Sequence, residues 1–227
     1  MHAIWLTDRD VELLADTGTS AVHCLTSNLR LGDGIARLAA LRRAGVRTVL
    51  GTDGRGCHET LDMIELVGMT ALVHKVSGER FELWPSAADV LAMATSEANR
   101  CAGHGDRLGR IEPGACGDLV LYGRDSLSLR LLHDPIRQLV YGSATSDIRA
   151  VLVAGRVAFE NGRFPGVDVE ALLARADAYA RSALEPSRPQ DLSRLERMVR
   201  GVYERAERTD LGLDRYVGPG AEQRGPE

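Results

Sequence analysis

The sequence predicts an α/β protein with parallel strands in its first hundred residues, followed by a small β-rich unit and C-terminal helices. Three observations predict this order. Helical periodicity alternates with short β-branched runs over residues 1–103, turn residues separate short strands over 104–164, and helical periodicity returns over 165–210. Strands that alternate with helices over short connections imply parallel pairing and right-handed crossovers. Residues 211–227 are polar and rich in Gly and Pro, which is typical of a disordered tail.

The elements of residues 1–103 follow from apolar spacing and from stop signals. Asp8 is placed to cap the first helix, and Gly45 is placed to end the second. The predicted helices cover residues 8–16, 34–44, 59–76 and 86–101. The predicted strands cover residues 19–24 and 46–50.

The β-rich unit and the last helices are recognised in the same way. Short strands are predicted at residues 118–122, 138–141, 148–153 and 156–160. Ala154-Gly155 can form the two-residue turn of a hairpin between the last two strands. The C-terminal helices are predicted at residues 169–184 and 191–208.

Composition limits the class of protein. The 227 residues are 44% hydrophobic and 26% charged, which is ordinary for a globular domain. No apolar run has the length of a membrane helix, and the N-terminus lacks the pattern of a signal peptide. The net charge of −4 gives no electrostatic reason to expect nucleic acid binding. We therefore expect a cytoplasmic protein whose four cysteines are reduced thiols, with no membrane or nucleic acid partner.

Two candidate site residues stand where predicted strands end, which is where parallel sheets carry their functional groups. His23 ends one strand, and Asp53 follows the other in Gly51-Thr52-Asp53-Gly54. A carboxylate at this position can bind a divalent cation and accept a proton from water. An aspartate that merely caps the following turn would give the same pattern.

Other polar residues are weaker candidates. His2 could be a ligand, an acid or base, a donor to developing negative charge, or simply an exposed side chain. Asn28 lies in a sequence typical of loops, His23 could be a hydrogen-bonded core imidazole, and Cys57 could line a pocket beside His58. The remaining histidines have no polar company in the sequence, and surface or structural roles are expected for His74, His104 and His133.

Several short segments form an ordered series over residues 2–164. They are residues 2–7 (HAIWLT), 21–34 (AVHCLTSNLRLGDG), 51–54 (GTDG), 109–114 (GRIEPG) and 117–119 (GDL). This series resembles the amidohydrolase superfamily, in the branch of cytosine deaminase-like and S-adenosylhomocysteine deaminase-like enzymes and triazine chlorohydrolases. The resemblance implies a (β/α)8 barrel with one divalent metal, zinc or alternatively iron, at its C-terminal face, and a small β-sandwich domain.

The resemblance also implies roles for individual residues. His2 matches the strand-six histidine, which polarises the attacked group or stabilises the tetrahedral intermediate and is a metal ligand in dinuclear relatives. Asp53 matches the strand-eight aspartate, which binds the metal and shuttles the proton of the nucleophilic water. His23 and Asn28 fall in the strand-seven loop that shapes the pocket. Cys57 and His58 follow Asp53 and are further candidates for substrate contact.

The sequence departs from the family pattern in ways that affect function. It contains no His-x-His pair and begins at the strand-six histidine, so the other metal ligands are expected outside this chain. Residues 55–59 (RGCHE) stand where the family has a stretch rich in Ser and Asn, so the resemblance does not predict which substrate is bound. We therefore expect the C-terminal part of a barrel and part of a sandwich, completed by an N-terminal half or by a homo-oligomer.

The predicted function is hydrolysis of a carbon–nitrogen bond by metal-activated water. Deamination of a small heterocyclic substrate is expected, and amide hydrolysis is the alternative at the same kind of bond. Hydrolytic dechlorination is the alternative within the enzyme class, since both reactions use the same nucleophile. An inactive remnant, serving as an interaction or oligomerisation module, is the alternative from another class.

Overall fold

A computed structural model of the chain describes residues 1–76, 80–183 and 192–208. The predicted disordered tail, residues 211–227, lies outside the described residues. The chain divides into two compact units between Asn161 and Gly162. The predicted boundary between residues 103 and 104 lies inside the first unit and stays a prediction.

The first unit alternates helices and strands, which confirms the prediction of an α/β fold. Its helices are α1 (Asp8–Asp16), α2 (Leu25–Leu31), α3 (Leu38–Arg43), α4 (Met63–Val73), α5 (Ala87–Ala94), α6 (Ser96–Cys101) and α7 (Pro135–Gly142). Its strands are β1 (Ala21–His23), β2 (Thr48–Leu50), β3 (Leu119–Tyr122), β4 (Ile148–Val153) and β5 (Arg156–Glu160). Two short 3-10 turns cover Phe81–Leu83 and Thr145–Asp147.

Strands β1 and β2 pair in parallel, with Ala21 opposite Thr48 and His23 opposite Leu50. All three residues of β2 are buried, as expected for a strand covered by helices. The His2 amide donates to the Val22 carbonyl at 2.8 Å, so the N-terminal residues run along the other edge of β1. Within the described residues this sheet has two strands. Its C-terminal edge therefore brings residue 2 and the residues after both strands to one place.

The core lies between this sheet and the helices that follow it. Side chains from α2, α3, β2, α4, α5 and α7 form its main cluster, which includes Leu25, Leu38, Leu50, Leu66, Val67, Ala71, Ala87, Val90, Met93 and Val140. A smaller cluster joins α1 and α3 to the sheet through Val11, Ala21, Leu41 and Val46. Each fully buried Leu or Val contributes about 1.5–3 kcal/mol of hydrophobic free energy. Packing against these clusters therefore holds β1 and β2 in place.

The N-cap of helix α1 lies one residue before the expected one. Thr7, not Asp8, caps this helix: the Asp10 amide donates to Thr7 Oγ1 at 3.2 Å, and the Thr7 amide donates to Asp10 Oδ2 at 2.8 Å. This reciprocal capping box satisfies two backbone donors at once, which a single aspartate at residue 8 would not do.

The second predicted strand of the β-rich unit is wrong. Residues 138–141 belong to α7, where Asp134 accepts a hydrogen bond from the Arg137 amide at 3.0 Å and Pro135 opens the first turn. Both residues favour helix starts, and Val140 is buried in the main core. The helix is stabilised by this packing, which overrides the strand preference of the Leu-Val-Tyr run.

The predicted helix over residues 86–101 is interrupted. It forms α5 and α6, which are separated at Thr95 with φ −125° and ψ −94°. The Thr95 hydroxyl donates to the Leu91 carbonyl at 2.7 Å. A threonine bonded to the carbonyl four residues earlier tends to bend a helix, which fits a break at this point.

Strands β3, β4 and β5 form an antiparallel sheet in that order. The predicted hairpin turn is confirmed, because Ala154 (φ 50°) and Gly155 (φ 75°) both adopt the left-handed conformation that type I′ turns require.

The second unit contains α8 (Val169–Ala183) and α9 (Ser193–Arg208), as predicted apart from residues 184 and 191, which lie outside the described residues. Among the described helices none is both long and apolar enough to cross a bilayer. All four cysteines are free in the structure.

Gly68 lies where α4 packs closely against α7. A Cβ at this position would lie 2.9 Å from the Val140 carbonyl oxygen, so the helices would have to separate. We expect Gly68→Ala to destabilise the fold, because overpacking costs about 1–3 kcal/mol and the helix preference of Ala returns only about 1 kcal/mol. Chemical denaturation measures the change. Gly142→Ala, at the open end of α7, is the matched control and should leave the free energy of unfolding nearly unchanged.

Candidate functional site

The site lies at the C-terminal edge of the parallel strands, where His2 and Asp53 face each other. The distance from His2 Nε2 to Asp53 Oδ2 is 3.9 Å. Their side chains are 39% and 20% exposed, so both reach solvent while their backbones are anchored at the sheet. Two residues that are 51 positions apart in sequence are thus brought within reach of one ligand.

Both residues have an unusual backbone conformation. The φ angles of His2, Ala3 and Asp53 are 68°, 56° and 62°, in the left-handed region that side chains other than glycine rarely adopt. The other described non-glycine residues with positive φ, Ala154 and Asn161, lie in turns of the antiparallel sheet. Strained conformations of this kind cluster at functional sites, because they aim side chains that ordinary turns would not.

Two donors hold the Asp53 carboxylate. The Ser27 hydroxyl donates to Oδ2 and the Gly54 amide donates to Oδ1, each at 2.7 Å. These hydrogen bonds, with smaller contributions from His2 and the Cys57 thiol, hold the pKa of Asp53 below its usual value. The carboxylate is therefore ionised at neutral pH and able to bind a cation.

Ser27 was not predicted as a site residue. It is fully buried at the start of α2. A buried serine gives no local sequence signal for an acceptor 26 positions away. Its only hint was its position between a strand end and Asn28.

His2 is oriented by Asn28. The distance between His2 Nδ1 and Asn28 Oδ1 is 2.7 Å. Asn28 was expected in a loop, but it lies in α2, which begins directly after β1. Its side chain is fully buried and stands against His2, so it is placed behind the exposed imidazole.

His23 points into the protein interior. It is 1% exposed, and its Nε2 lies 3.0 Å from Nε2 of the buried His74. Burial lowers the pKa of His23 to about 3 and that of His74 to about 4, so both imidazoles are neutral at pH 7. For His74, the structural role rather than the surface role is confirmed. For His23, the contact described is with another core residue.

Cys57 and His58 follow Asp53 in a partly exposed turn. The Cys57 side chain is close enough to the Asp53 carboxylate to contribute to lowering its pKa. His58 Nδ1 donates to the Thr60 carbonyl at 3.3 Å, a contact within its own turn. The structure thus groups His2, Ser27, Asn28, Asp53 and Cys57, while the contact of His58 is local.

The donor set suits one edge of a metal site. Zinc binds nitrogen and oxygen ligands at about 2.0–2.2 Å, so two tetrahedral ligands lie roughly 3.3–3.5 Å apart. The separation of 3.9 Å between His2 Nε2 and Asp53 Oδ2 needs only a small closure to reach this value. Among the described residues there is no group of three or more His, Cys, Asp or Glu side chains that could hold a metal ion. Two ligands do not complete a zinc site, so further ligands would have to come from elsewhere.

Ser27→Ala tests how the carboxylate is held. Removing the hydroxyl should raise the pKa of Asp53 toward its usual value, because the largest contribution that lowers it is lost. Carbon NMR of the Asp53 carboxyl across a pH series measures this shift. Ser86→Ala removes a hydroxyl that bonds Asp89 in α5 and should leave the pKa of Asp53 as it is. An unchanged value in the Ser27 variant would show that the hydroxyl does not control the carboxylate.

The chain is similar to known proteins in sequence. The profile of the amidohydrolase family matches residues 1–158. A 5'-deoxyadenosine deaminase of Methanopyrus kandleri is 34% identical over 175 residues, which are 76% of this chain and 39% of that protein. The chain therefore spans about two fifths of the length of this curated relative.

Solved structures give the same result. An adenosine deaminase from Xanthomonas campestris with bound zinc superposes with a TM-score of 0.76 at 33% identity, covering 80% of this chain and 41% of that one. A zinc complex of an atrazine chlorohydrolase from Arthrobacter aurescens superposes with a TM-score of 0.72 at 28% identity, covering 78% of this chain and 39% of that one. Both neighbours contain zinc, and one is a deaminase while the other is a chlorohydrolase.

Proposed function

Because this chain belongs to the amidohydrolase family, we propose that it supplies the C-terminal part of a metal-dependent hydrolase that deaminates a small heterocyclic substrate. The observation that carries the proposal is the pair of His2 and Asp53, held 3.9 Å apart by buried hydrogen-bond partners at the strand ends. The deaminases among the relatives support a purine nucleoside as the substrate class.

Asp53 acts as metal ligand and as proton acceptor in this proposal. Its low pKa keeps it ionised, and Ser27 and Gly54 hold its oxygens in fixed positions. A carboxylate so held can take a proton from the attacking water and return it to the leaving amine. His2 faces the same point, as a second ligand or as the group that stabilises developing charge.

The metal is proposed to be zinc, with iron as the alternative. When bound, a divalent metal lowers the pKa of water to near neutrality and so makes a nucleophile available. The zinc in both structural neighbours supports this choice. Asp53 and His2 would contribute two ligands, and the remaining ligands would come from outside this chain. Cys57 and His58, on the turn after Asp53, are proposed to contact the substrate together with the His23–Asn28 segment.

The barrel is proposed to be completed by residues outside positions 1–227. The chain matches about two fifths of its relatives, and its described parallel sheet has two strands. We propose that residues 1–103 are the last part of a (β/α)8 barrel, that residues 104–164 belong to a β-sandwich and that residues 165–210 are appended helices. A complementary N-terminal half is the partner that would supply the missing strands, and a homo-oligomer is the alternative.

Complementation tests the proposal. The chain is coexpressed with the part of the Xanthomonas campestris adenosine deaminase that it does not match, and the complex is purified. We expect stoichiometric zinc and release of ammonia from adenosine or 5'-deoxyadenosine by the complex, with little of either from the chain alone. A folded complex that binds neither zinc nor iron would overturn the proposal.

Dechlorination is the second candidate, because the similarity to the atrazine chlorohydrolase is nearly as high as that to the deaminase. The same complex is assayed for chloride release from atrazine. Chloride without ammonia would favour the dechlorinase. A complex that forms but neither binds metal nor turns over either substrate would favour a non-catalytic interaction module.

A further inference from the structure

We propose that Asn28 is a positioning residue that fixes the tautomer of His2, with the hydrogen on Nδ1 and the lone pair on Nε2. The catalytic meaning of this tautomer rests on the proposed function, whereas the tautomer itself follows from the contact between the two side chains. The tautomer of His2 determines which of the proposed roles its Nε2 atom can perform.

The contact is short and rigid. Asn28 Oδ1 lies 2.7 Å from His2 Nδ1, and the asparagine is fully buried. Its backbone is fixed at both ends, because the Asn28 amide donates to Cys24 and the Asn28 carbonyl accepts from Asp33 at 2.9 Å. On the other side, the His2 amide donates to Val22 in β1. The backbones of both residues are thus held in place, and the burial of Asn28 restricts its side chain.

An amide oxygen can only accept a hydrogen bond, so Nδ1 must be the donor. A neutral imidazole carries one hydrogen, and a donor at Nδ1 leaves Nε2 with its lone pair. This nitrogen is the atom that lies 3.9 Å from Asp53 Oδ2. Two acceptors then face one another across a gap that suits a shared cation or a water that donates to both.

The tautomer permits some of the roles considered for His2 and excludes another. With a lone pair on Nε2, neutral His2 can bind a metal or accept a proton, but it cannot donate to developing negative charge. The opposite arrangement, with the Asn28 amide nitrogen turned toward Nδ1, would put the hydrogen on Nε2. That hydrogen would then face Asp53 Oδ2 at 3.9 Å, which is too long for a hydrogen bond.

When Asn28 Oδ1 faces His2, the amide nitrogen of Asn28 needs a separate hydrogen-bond acceptor. Its Nδ2 is buried and has no hydrogen-bond partner among the described residues. An amide N–H that is buried without a hydrogen-bond partner is energetically unfavourable. The contact with His2 is thus made at an energetic cost, which fits a functional rather than a purely structural asparagine.

Nitrogen-15 NMR of the full chain, without metal or substrate, tests the proposal. Spectra are recorded over a series of pH values up to about 8.5, two units above the reference pKa of an imidazole in a peptide, and His2→Gln assigns the signals. We expect His2 to show a protonated Nδ1 and an unprotonated Nε2. An Nε2-protonated His2 in the unmodified chain would overturn the proposal.

Two variants separate positioning from mere support of the fold. Asn28→Asp keeps an acceptor oxygen and should keep hydrogen on Nδ1, whereas Asn28→Leu removes it and should shift His2 toward the Nε2-protonated form. His58, which bonds within its own turn, is the internal control and should not change. An Asn28→Leu chain that folds and keeps the original tautomer would also contradict the proposal, and if this variant does not fold, the unmodified chain and Asn28→Asp still decide.

The outcome is independent of the proposed function. A complex that fails to deaminate would leave the tautomer measurement valid, since that measurement uses no substrate. Conversely, an active complex with an Nε2-protonated His2 would support the deaminase and refute the role of Asn28.

Discussion

Replacing Asp53 by asparagine is expected to lower the deamination rate of the complemented enzyme by about 10²- to 10⁴-fold, the range for loss of a positioned acid or base. Asparagine keeps an oxygen that can accept from Ser27 or Gly54, so the local geometry is retained. It cannot accept a proton from water, and as a neutral ligand it binds a cation less strongly. Steady-state kinetics of ammonia release measure the loss.

The control variant is Asp16→Asn, which removes the same charge at an exposed position in the last turn of α1. Its rate should stay within a factor of two of the unmodified enzyme. Zinc content is measured in parallel, because Asp53→Asn should lower it if the carboxylate is a ligand. A rate for Asp53→Asn within about tenfold of the parent would exclude Asp53 as the proton acceptor.

On acidification the chain is expected to unfold at a higher pH than titration of its carboxylates alone would produce. His23 and His74 have folded-state pKa values of about 3 and about 4, below the usual value of 6.5, because both are buried. The unfolded state therefore binds more protons below pH 6.5, and stability that is complete above this pH is lost as the pH falls toward 4. The loss is up to about 2 kcal/mol per imidazole between pH 7 and pH 5.

Charged groups near His23 and His74 also lower the pKa values of these two residues. His2 lowers the pKa of His23, and Arg42, which is paired with Asp89 at 2.8 Å, lowers the pKa of His74. Urea denaturation at several pH values measures the effect. His74→Gln keeps a side chain that can hydrogen-bond His23 and removes one titrating group, so the dependence between pH 7 and pH 5 should fall by about half. His104→Gln, at an exposed position, should not alter it. If the free energy of unfolding of His74→Gln fell with pH as steeply as that of the unmodified chain, the explanation would be contradicted.

Local sequence signals were sufficient for most helices and strands. The Thr7–Asp10 segment, the apolar spacing of α1 and the Ala154-Gly155 turn each form through contacts between neighbours in sequence. Residues 138–141 were misassigned because their apolar run is too short to distinguish strand from helix. The start signals at Asp134 and Pro135 were present and would have corrected the assignment.

The site was predictable only in part. Asp53 and His2 stand at strand ends, and parallel pairing brings such ends together. The segment Thr26-Ser27-Asn28 was assigned to a loop, because these residues compete with the helix backbone for hydrogen bonds. In the structure their side chains are buried and, for Ser27 and Asn28, bonded to Asp53 and His2. These partners are each 26 positions away, and no local pattern encodes such a distance.

Helix α2 has a consequence for engineering. Its consecutive residues Ser27 and Asn28 each hold one member of the facing pair, so a shift or rotation of this helix displaces both members together. A redesign that seeks to change the spacing between the carboxylate and the imidazole must therefore alter one of these two neighbours and leave the other in place. Transplanting the pair into another scaffold would require the helix as well as the two strand ends.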